Sequence, residues 1–308
     1  MKFILIFLII GMVDIMQAQN IRENLKRHVS ALSNEIGERS GAANFAKLEK
    51  ARDYVRKEFE KYGYKPILQT YESGHYKGIF TNLVAEKSGE KQKEKIILVG
   101  AHYDTAAGAP GADDNASGTA VLLELAGVLS KIKTDKTVRF VAFSNEEPPF
   151  FMTEDMGSWR HAHEAKEKKE QIEAMLCLES VGYFSDKPGS QKYPPFLNFI
   201  YPDKGNYISI VSNVPSRSLL KKTVKHFKKS ASLPVQSLWA PQLLVPAISL
   251  SDQWAFWRHG YKAVMITDTA FLRTPYYHTS LDTHEKLDYE RMAQVFQGIK
   301  GVILELSK

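Results

Sequence analysis

Two short, almost wholly apolar runs, Lys95 to Tyr103 (KIILVGAHY) and Val138 to Ser144 (VRFVAFS), set the tightest limit on what this chain can fold into. A strand with one wet face alternates apolar and polar residues, whereas an unbroken apolar run is expected where helical layers cover both faces of a sheet. The neighbouring segments fit that arrangement. Asn44 to Tyr62 repeats Phe45, Leu48, Ala51, Val55 and Phe59 at helical spacing, and Ser117 to Ile132, Ser216 to Ser230 and Tyr289 to Lys308 read as further helices. Further strands are expected at Lys65 to Tyr71, Thr81 to Glu86, Met175 to Gly182, Phe196 to Tyr201 and Ala263 to Asp268. Strands alternating with helices predict an α/β fold with a mixed, mainly parallel central sheet flanked by helices.

The 308 residues, 44% hydrophobic and 25% charged, suffice for one large core. No internal repeat or low-complexity linker divides them, and the stretches Ser185 to Pro195 and Leu233 to Pro246, rich in turn-forming residues, read as loops inside one domain. Residues 1–18 stand apart. Lys2 precedes an apolar run from Phe3 to Val13, and small and polar residues follow around Ala18, which is the layout of a signal peptide. The run is shorter than the roughly 20 residues of a membrane span. Cleavage near Ala18 is therefore expected, leaving residues 19–308 as one domain, periplasmic or secreted, without stable membrane insertion. The only cysteine, Cys177, excludes an internal disulfide and reads as a small core thiol. The formal charge of +6 does not imply nucleic acid, because the lysines lack interleaved aromatics; the basic run Lys221 to Lys229 reads as a solvated helix face.

Chemistry gathers at the strand ends. His102 and Asp104 in GAHYDT lie two apart, hence on one strand face, where a carboxylate can fix the tautomer of a ligating imidazole. The turn GAPGADDNASG follows, with Asp113 and Asp114 placed either to cap the next helix or to bind a cation. Ser144 to Glu147 (SNEE) ends another buried strand with paired glutamates, which either face water or sit on metal. Glu179 interrupts the apolar MLCLESVGYF, and His278 lies in YYHTSLDT after the strand AVMITD. Ligands of open α/β sheets collect at the carboxyl ends of strands, so these side chains are placed to converge. His161 and His163 in SWRHAH stand two apart on a helix, do not share a face, and are expected at the surface. Asp268 and Arg273 either line a substrate pocket or form a structural ion pair, and Asp282 holds the turn after His278 or starts the last helix. Phe150, Phe151, Trp254, Trp257 and Tyr276 hint at an apolar pocket.

The ordered set GAHYDT, GADDNASG, SNEE, LESVGYF and YYHTSLDT resembles the co-catalytic zinc aminopeptidases of the aminopeptidase Y and bacterial leucyl aminopeptidase type, a family related to glutaminyl cyclases. The likeness runs from about Ile36 (IGERSG) to the last helix. It implies a metal-dependent exopeptidase acting on peptides with a free N-terminus, with two zinc ions per chain. Asp114 would bridge the metals, His102 and Glu179 would complete one site, and Glu147 and His278 the other. Glu146 would be the base, Asp104 would orient His102, and Tyr277 would help stabilise the oxyanion. Relatives often carry aspartate where this chain has Glu179, and Ser-Asp-His where it has Ser251, Asp252 and Gln253, so a role for that histidine is not carried over. Two rivals remain: a one-zinc glutaminyl cyclase, and a binding ectodomain without catalysis. Retention of both ligand pairs and of the base speaks against each.

Overall fold

The computed structural model describes residues 19–195 and 197–308, in which eight strands form one sheet. They are β1 (Ile67–Glu72), β2 (Ile79–Lys87), β3 (Gln92–His102), β4 (Lys136–Phe143), β5 (Gln171–Glu179), β6 (Ile208–Asn213), β7 (Val235–Ala240) and β8 (Ala263–Thr267), in the order β1-β2-β4-β3-β5-β8-β6-β7. The pairings β3·β4, β3·β5, β5·β8 and β6·β7 are parallel; β1·β2, β2·β4 and β6·β8 are antiparallel. This is the mixed, mainly parallel sheet read from the alternation.

Among the described residues seven α-helices flank it: α1 (residues 19–30), α2 (Phe45–Lys61), α3 (Gly118–Leu129), α4 (Gly157–Glu167), α5 (Arg217–Ser230), α6 (Gln253–Arg258) and α7 (Tyr289–Leu306). The central strands send alternate residues into two cores. Ile97, Val99 and Ala101 of β3, with Leu176 and Leu178 of β5, meet α1, α2, α3, α5 and α7. Ile96 and Leu98 of β3, with Met175 and Cys177 of β5, meet α4 and α6. Double coverage explains why these strands lack alternation. Cys177 is fully buried there.

Two expectations fail in the half of the sheet beyond β8. The strand expected at Phe196 to Tyr201 is absent from residues 197–201: Leu197–Phe199 makes one helical turn, and Phe199 and Ile200 are exposed; Phe196 itself lies outside the described residues. The segment's apolar residues resemble a buried run in sequence, but of those described only Leu197 and Tyr201 face inward, to line a cavity. The strands are instead β6 and β7, and β7 falls inside Leu233 to Pro246, where the prolines pointed to a loop. Pro234 and Pro241 only bracket it, and a proline just outside an edge strand removes no ladder hydrogen bond. His161 is corrected too. It is buried, its Nδ1 is 2.9 Å from Gln69 Oε1, and its ring packs against Phe143 and Phe256, whereas His163 is exposed as expected. No helix among the described residues is long and apolar enough to cross a membrane. The leader at residues 1–18 lies outside the described residues.

Candidate active site

β3, β4 and β5 run parallel, so their carboxyl ends arrive together. His102 closes β3, Glu179 closes β5, and Glu146 and Glu147 directly follow β4. Asp114 comes from the turn ahead of α3, where a side chain at Gly118 would start 2.7 Å from the Leu178 carbonyl oxygen; only glycine lets the helix begin that close to β5. His278 comes from the loop after β8. Positive φ values at Asn145, Ser180 and His278 show backbone strain next to Glu146, next to Glu179 and at His278 itself, a cost sustained where the surroundings fix the geometry.

The two oxygens of Asp114 face different imidazoles. Oδ1 lies 3.3 Å from His102 Nε2, and Oδ2 lies 3.1 Å from His278 Nε2. His102 Nε2 is also 3.2 Å from Glu179 Oε2, and His278 Nε2 is 3.1 Å from Glu147 Oε2. The result is two ligand sets, His102–Asp114–Glu179 and Asp114–Glu147–His278, each with donor atoms within 4.8 Å of one another. Glu146 belongs to neither set, although its Oε2 is 3.9 Å from His102 Nε2.

Burial, with mutual repulsion added, raises Glu146 and Glu179 above the usual carboxyl range and pushes Glu147 up to about 8. Burial would lower His278, yet its bonds to Asp114 and Glu147 raise it to about 10. Four carboxylates and two imidazoles in a dry cleft conflict unless a cation joins them. Buried His102 Nδ1 and Glu147 Oε1 have no hydrogen-bond partner. Imidazole with carboxylate is a donor set suited to zinc, so the residues present fit the metal that the motifs imply.

The supporting shell is only partly legible in sequence. Asp104 accepts from the backbone N–H of Glu146 and of Glu147, both at 3.1 Å, and its Oδ1 lies 3.4 Å from His102 Nδ1. It thus fixes the paired glutamates as well as facing the imidazole. Asp282 does not start the last helix; Asp288 caps it, while Asp282 accepts from the N–H of Asp113 and of Asp114. Arg39, fully buried, donates to the carbonyls of Tyr103, Pro110 and Gly111, joining the chain after β3 to the turn that carries Asp114; IGERSG marked its place but not its role. Ser251 Oγ donates to Glu179 Oε2 at 2.5 Å, and Ser180 Oγ donates to Glu179 Oε1. Gln253 donates to the Ile248 carbonyl and joins neither ligand set. Asp268 and Arg273 turn out structural without pairing directly. Asp268 accepts from the N–H of Tyr183 and Ala270, and Arg273 donates to Gln191 and lies over Tyr207. The Tyr277 ring stacks on His278 at 3.8 Å, and burial, reinforced by the nearby carboxylates, keeps its phenol protonated.

From Glu179 and Tyr277 a cavity open to solvent runs along the sheet. Its floor is two register rows, Glu179–Thr267–Ser209–Gln236 and Met265–Val211–Leu238, crossing from β5 to β7. Three strand spacings make that about 14 Å. Leu197, Tyr201, Val245 and Ile248 stand among its other lining residues. None of Phe150, Phe151, Trp254, Trp257 and Tyr276 lines it, so the aromatic hint in the sequence pointed elsewhere.

Comparison with known proteins settles the descent. The model of peptidase family M28 matches residues 82–303, a span that holds all five candidate ligand residues and Glu146. The chain belongs to peptidase family M28. This M28 chain is a metallopeptidase of the zinc aminopeptidase type that its motifs indicated. It is 36% identical to the YfbL protein of Escherichia coli over 288 residues, covering 90% of this chain and 86% of that one. It is 27% identical to aminopeptidase YwaD of Bacillus subtilis over 74% of its own length but only 45% of YwaD's, and it spans about half the length of several other curated relatives. In fold it is similar to BSAP, a zinc aminopeptidase of Bacillus subtilis (TM-score 0.73, 18% identity, 93% and 95% of the two chains). It is also similar to Fimbriiglobus ruber glutaminyl cyclase (TM-score 0.67, 19% identity, 93% and 95%).

Proposed function

We propose that this M28 chain is an exported aminopeptidase that binds two zinc ions and hydrolyses the N-terminal peptide bond of peptides. The observation that carries this reading is the pair of ligand sets sharing Asp114, with Glu146 left outside both. His102, Asp114 and Glu179 would hold one ion, and Asp114, Glu147 and His278 the other. When bound, the ions supply a water of lowered pKa and positive charge opposite the carbonyl oxygen. Glu146, free of ligand duty, takes the attacking water's proton and returns it to the leaving amine. Asp104 holds Glu146 and Glu147 in register through their backbone N–H groups. Tyr277, kept protonated, donates to the developing oxyanion. The aminopeptidases among its relatives support a substrate with a free N-terminus. The mainly apolar cavity beside Glu179 and Tyr277 suits a bulky apolar or aromatic N-terminal side chain.

The rival with a specific observation behind it is the glutaminyl cyclase reading, since the fold is similar to such an enzyme. A one-zinc cyclase does not require both ligand sets, and both are intact here. Metal analysis of active protein, alongside assays of aminoacyl p-nitroanilide hydrolysis and of glutaminyl-peptide cyclisation, tests the choice. Two ions per chain with hydrolysis are expected; a firm single zinc with cyclisation would overturn the proposal. Export follows from the leader pattern at residues 1–18, and N-terminal sequencing of the mature protein that returned Met1 or Lys2 would sink cleavage.

A further inference from the structure

The whole of the chain's net positive charge can be assigned to one helix. The sequence holds 41 Lys and Arg against 35 Asp and Glu. Helix α5 carries Arg217, Lys221, Lys222, Lys225, Lys228 and Lys229 and no acidic residue, so setting these six aside leaves 35 against 35. Elsewhere some lysines are paired, as Lys91 is with Asp135, Lys133 with Glu90 and Lys136 with Glu173, and the others are scattered over several elements among acidic residues rather than gathered on one helix. Among the described residues none of the six on α5 forms an ion pair; Arg217 lies over the Trp239 ring instead. The carboxylates facing this helix are engaged, Glu305 with Lys308 and Glu173 with Lys95 and Lys136. Lys222, Lys225 and His226 share one concavity with Lys262 and these two glutamates.

We propose that α5 is a docking face for a membrane surface rich in acidic phospholipid headgroups. All five lysines are exposed, whereas Leu219, Leu220 and Phe227 are buried in the core, so the helix can adsorb through charge but has no apolar face to insert. Five lysines to one arginine provide mobile point charges, which match a fluid layer of phosphates better than they match fixed bidentate recognition. The only aromatic residue within α5 is the buried Phe227, so the lysines have no stacking platform between them for bases. A cluster of four to eight basic residues on one helix is the pattern that acidic headgroups attract.

Position adds to this. Lys136 opens β4, Glu173 lies near the start of β5, and Lys262 immediately precedes β8. These are the strand ends opposite the metal-type residues, so docking here leaves the cleft open to solvent.

The test is cosedimentation of the full chain with vesicles of phosphatidylglycerol mixed into phosphatidylethanolamine, against vesicles of phosphatidylcholine. Two variants are compared. One carries Lys→Gln at Lys221, Lys222, Lys225, Lys228 and Lys229; the other carries Lys→Gln at Lys50, Lys57, Lys65, Lys187 and Lys192, which lowers net charge equally on other surfaces. Wild type and the second variant should bind phosphatidylglycerol vesicles in a salt-reversible way, and the α5 variant should bind about a hundredfold or more weakly. Undiminished binding by the α5 variant, equal loss in both variants, or equal wild-type binding to phosphatidylcholine would overturn the proposal. So would tighter binding to duplex DNA than to phosphatidylglycerol vesicles at matched phosphate concentration.

Discussion

Glu146 and Glu147 are consecutive, yet only Glu147 belongs to a ligand set. Replacing Glu146 by Gln keeps size and removes the basic oxygen; kcat should fall by roughly 10²- to 10⁴-fold while zinc content stays at the wild-type level, read by stopped assay and by metal analysis. Glu147→Ala should instead lose or weaken one zinc. If Glu146→Gln lost metal while Glu147→Ala kept it and stayed active, the two roles would be reversed. Ser251→Ala removes the hydroxyl that donates to Glu179, and zinc affinity should fall by about 10- to 100-fold in a chelator competition. The convergence of the five candidate ligands and Glu146 was legible in sequence because each is a metal-type side chain at or beyond the carboxyl end of an apolar run, or in a glycine-rich turn. Arg39, Ser251 and the bonds of Asp282 could not. Their significance lies in burial and in partners 70 to 170 positions away, which no local pattern records.

At the scale of elements, the strands covered on both faces were legible and the outlying pair was not. β7 lies at the sheet edge, partly exposed and bracketed by prolines, so neither apolar continuity nor clean alternation marks it. The strand expected at Phe196 to Tyr201 failed for the converse reason, since a short run in which two apolar residues line a cavity and two face solvent looks the same in sequence as a strand. The cavity that β5 to β8 floor should show itself in selectivity. Leucyl and phenylalanyl p-nitroanilides should exceed the alanyl substrate in kcat/KM by at least about tenfold, and a flat profile would remove the cavity from substrate binding. Another element-scale outcome concerns acid. His28 of α1 is fully buried, with Nε2 3.0 Å from Glu124 of α3 and Nδ1 2.8 Å from the Tyr54 hydroxyl of α2. Burial holds its pKa below the ordinary 6.5, and burial also holds His161 down to about 3. The unfolded chain therefore binds more protons once pH drops below about 6.5, and each imidazole then removes stability by at most ~1.4 kcal/mol per pH unit until its folded pKa is reached. Urea midpoints for wild type should fall between pH 7.5 and 5.5, and those for His28→Gln should fall less; equal slopes would contradict the role given to His28.

For the whole molecule, metal and stability are linked. Zinc that binds only the folded state adds to its stability by mass action, so a tight chelator should lower the melting temperature and free zinc should restore it. A melting curve indifferent to chelation would argue against a resident metal. The strand order carries one more consequence, which concerns time. β8 sits between β5 and β6, yet it is the last of the eight strands in the sequence, and His278 and Asp282 come later still. During synthesis the β6–β7 pair therefore has no place in the sheet, and Asp114 has only one of its two histidine neighbours, until nearly the entire chain has emerged. A peptidase ordered in this way stays inactive while it is being made, and it acquires its cutting site only as its final segments fold into place.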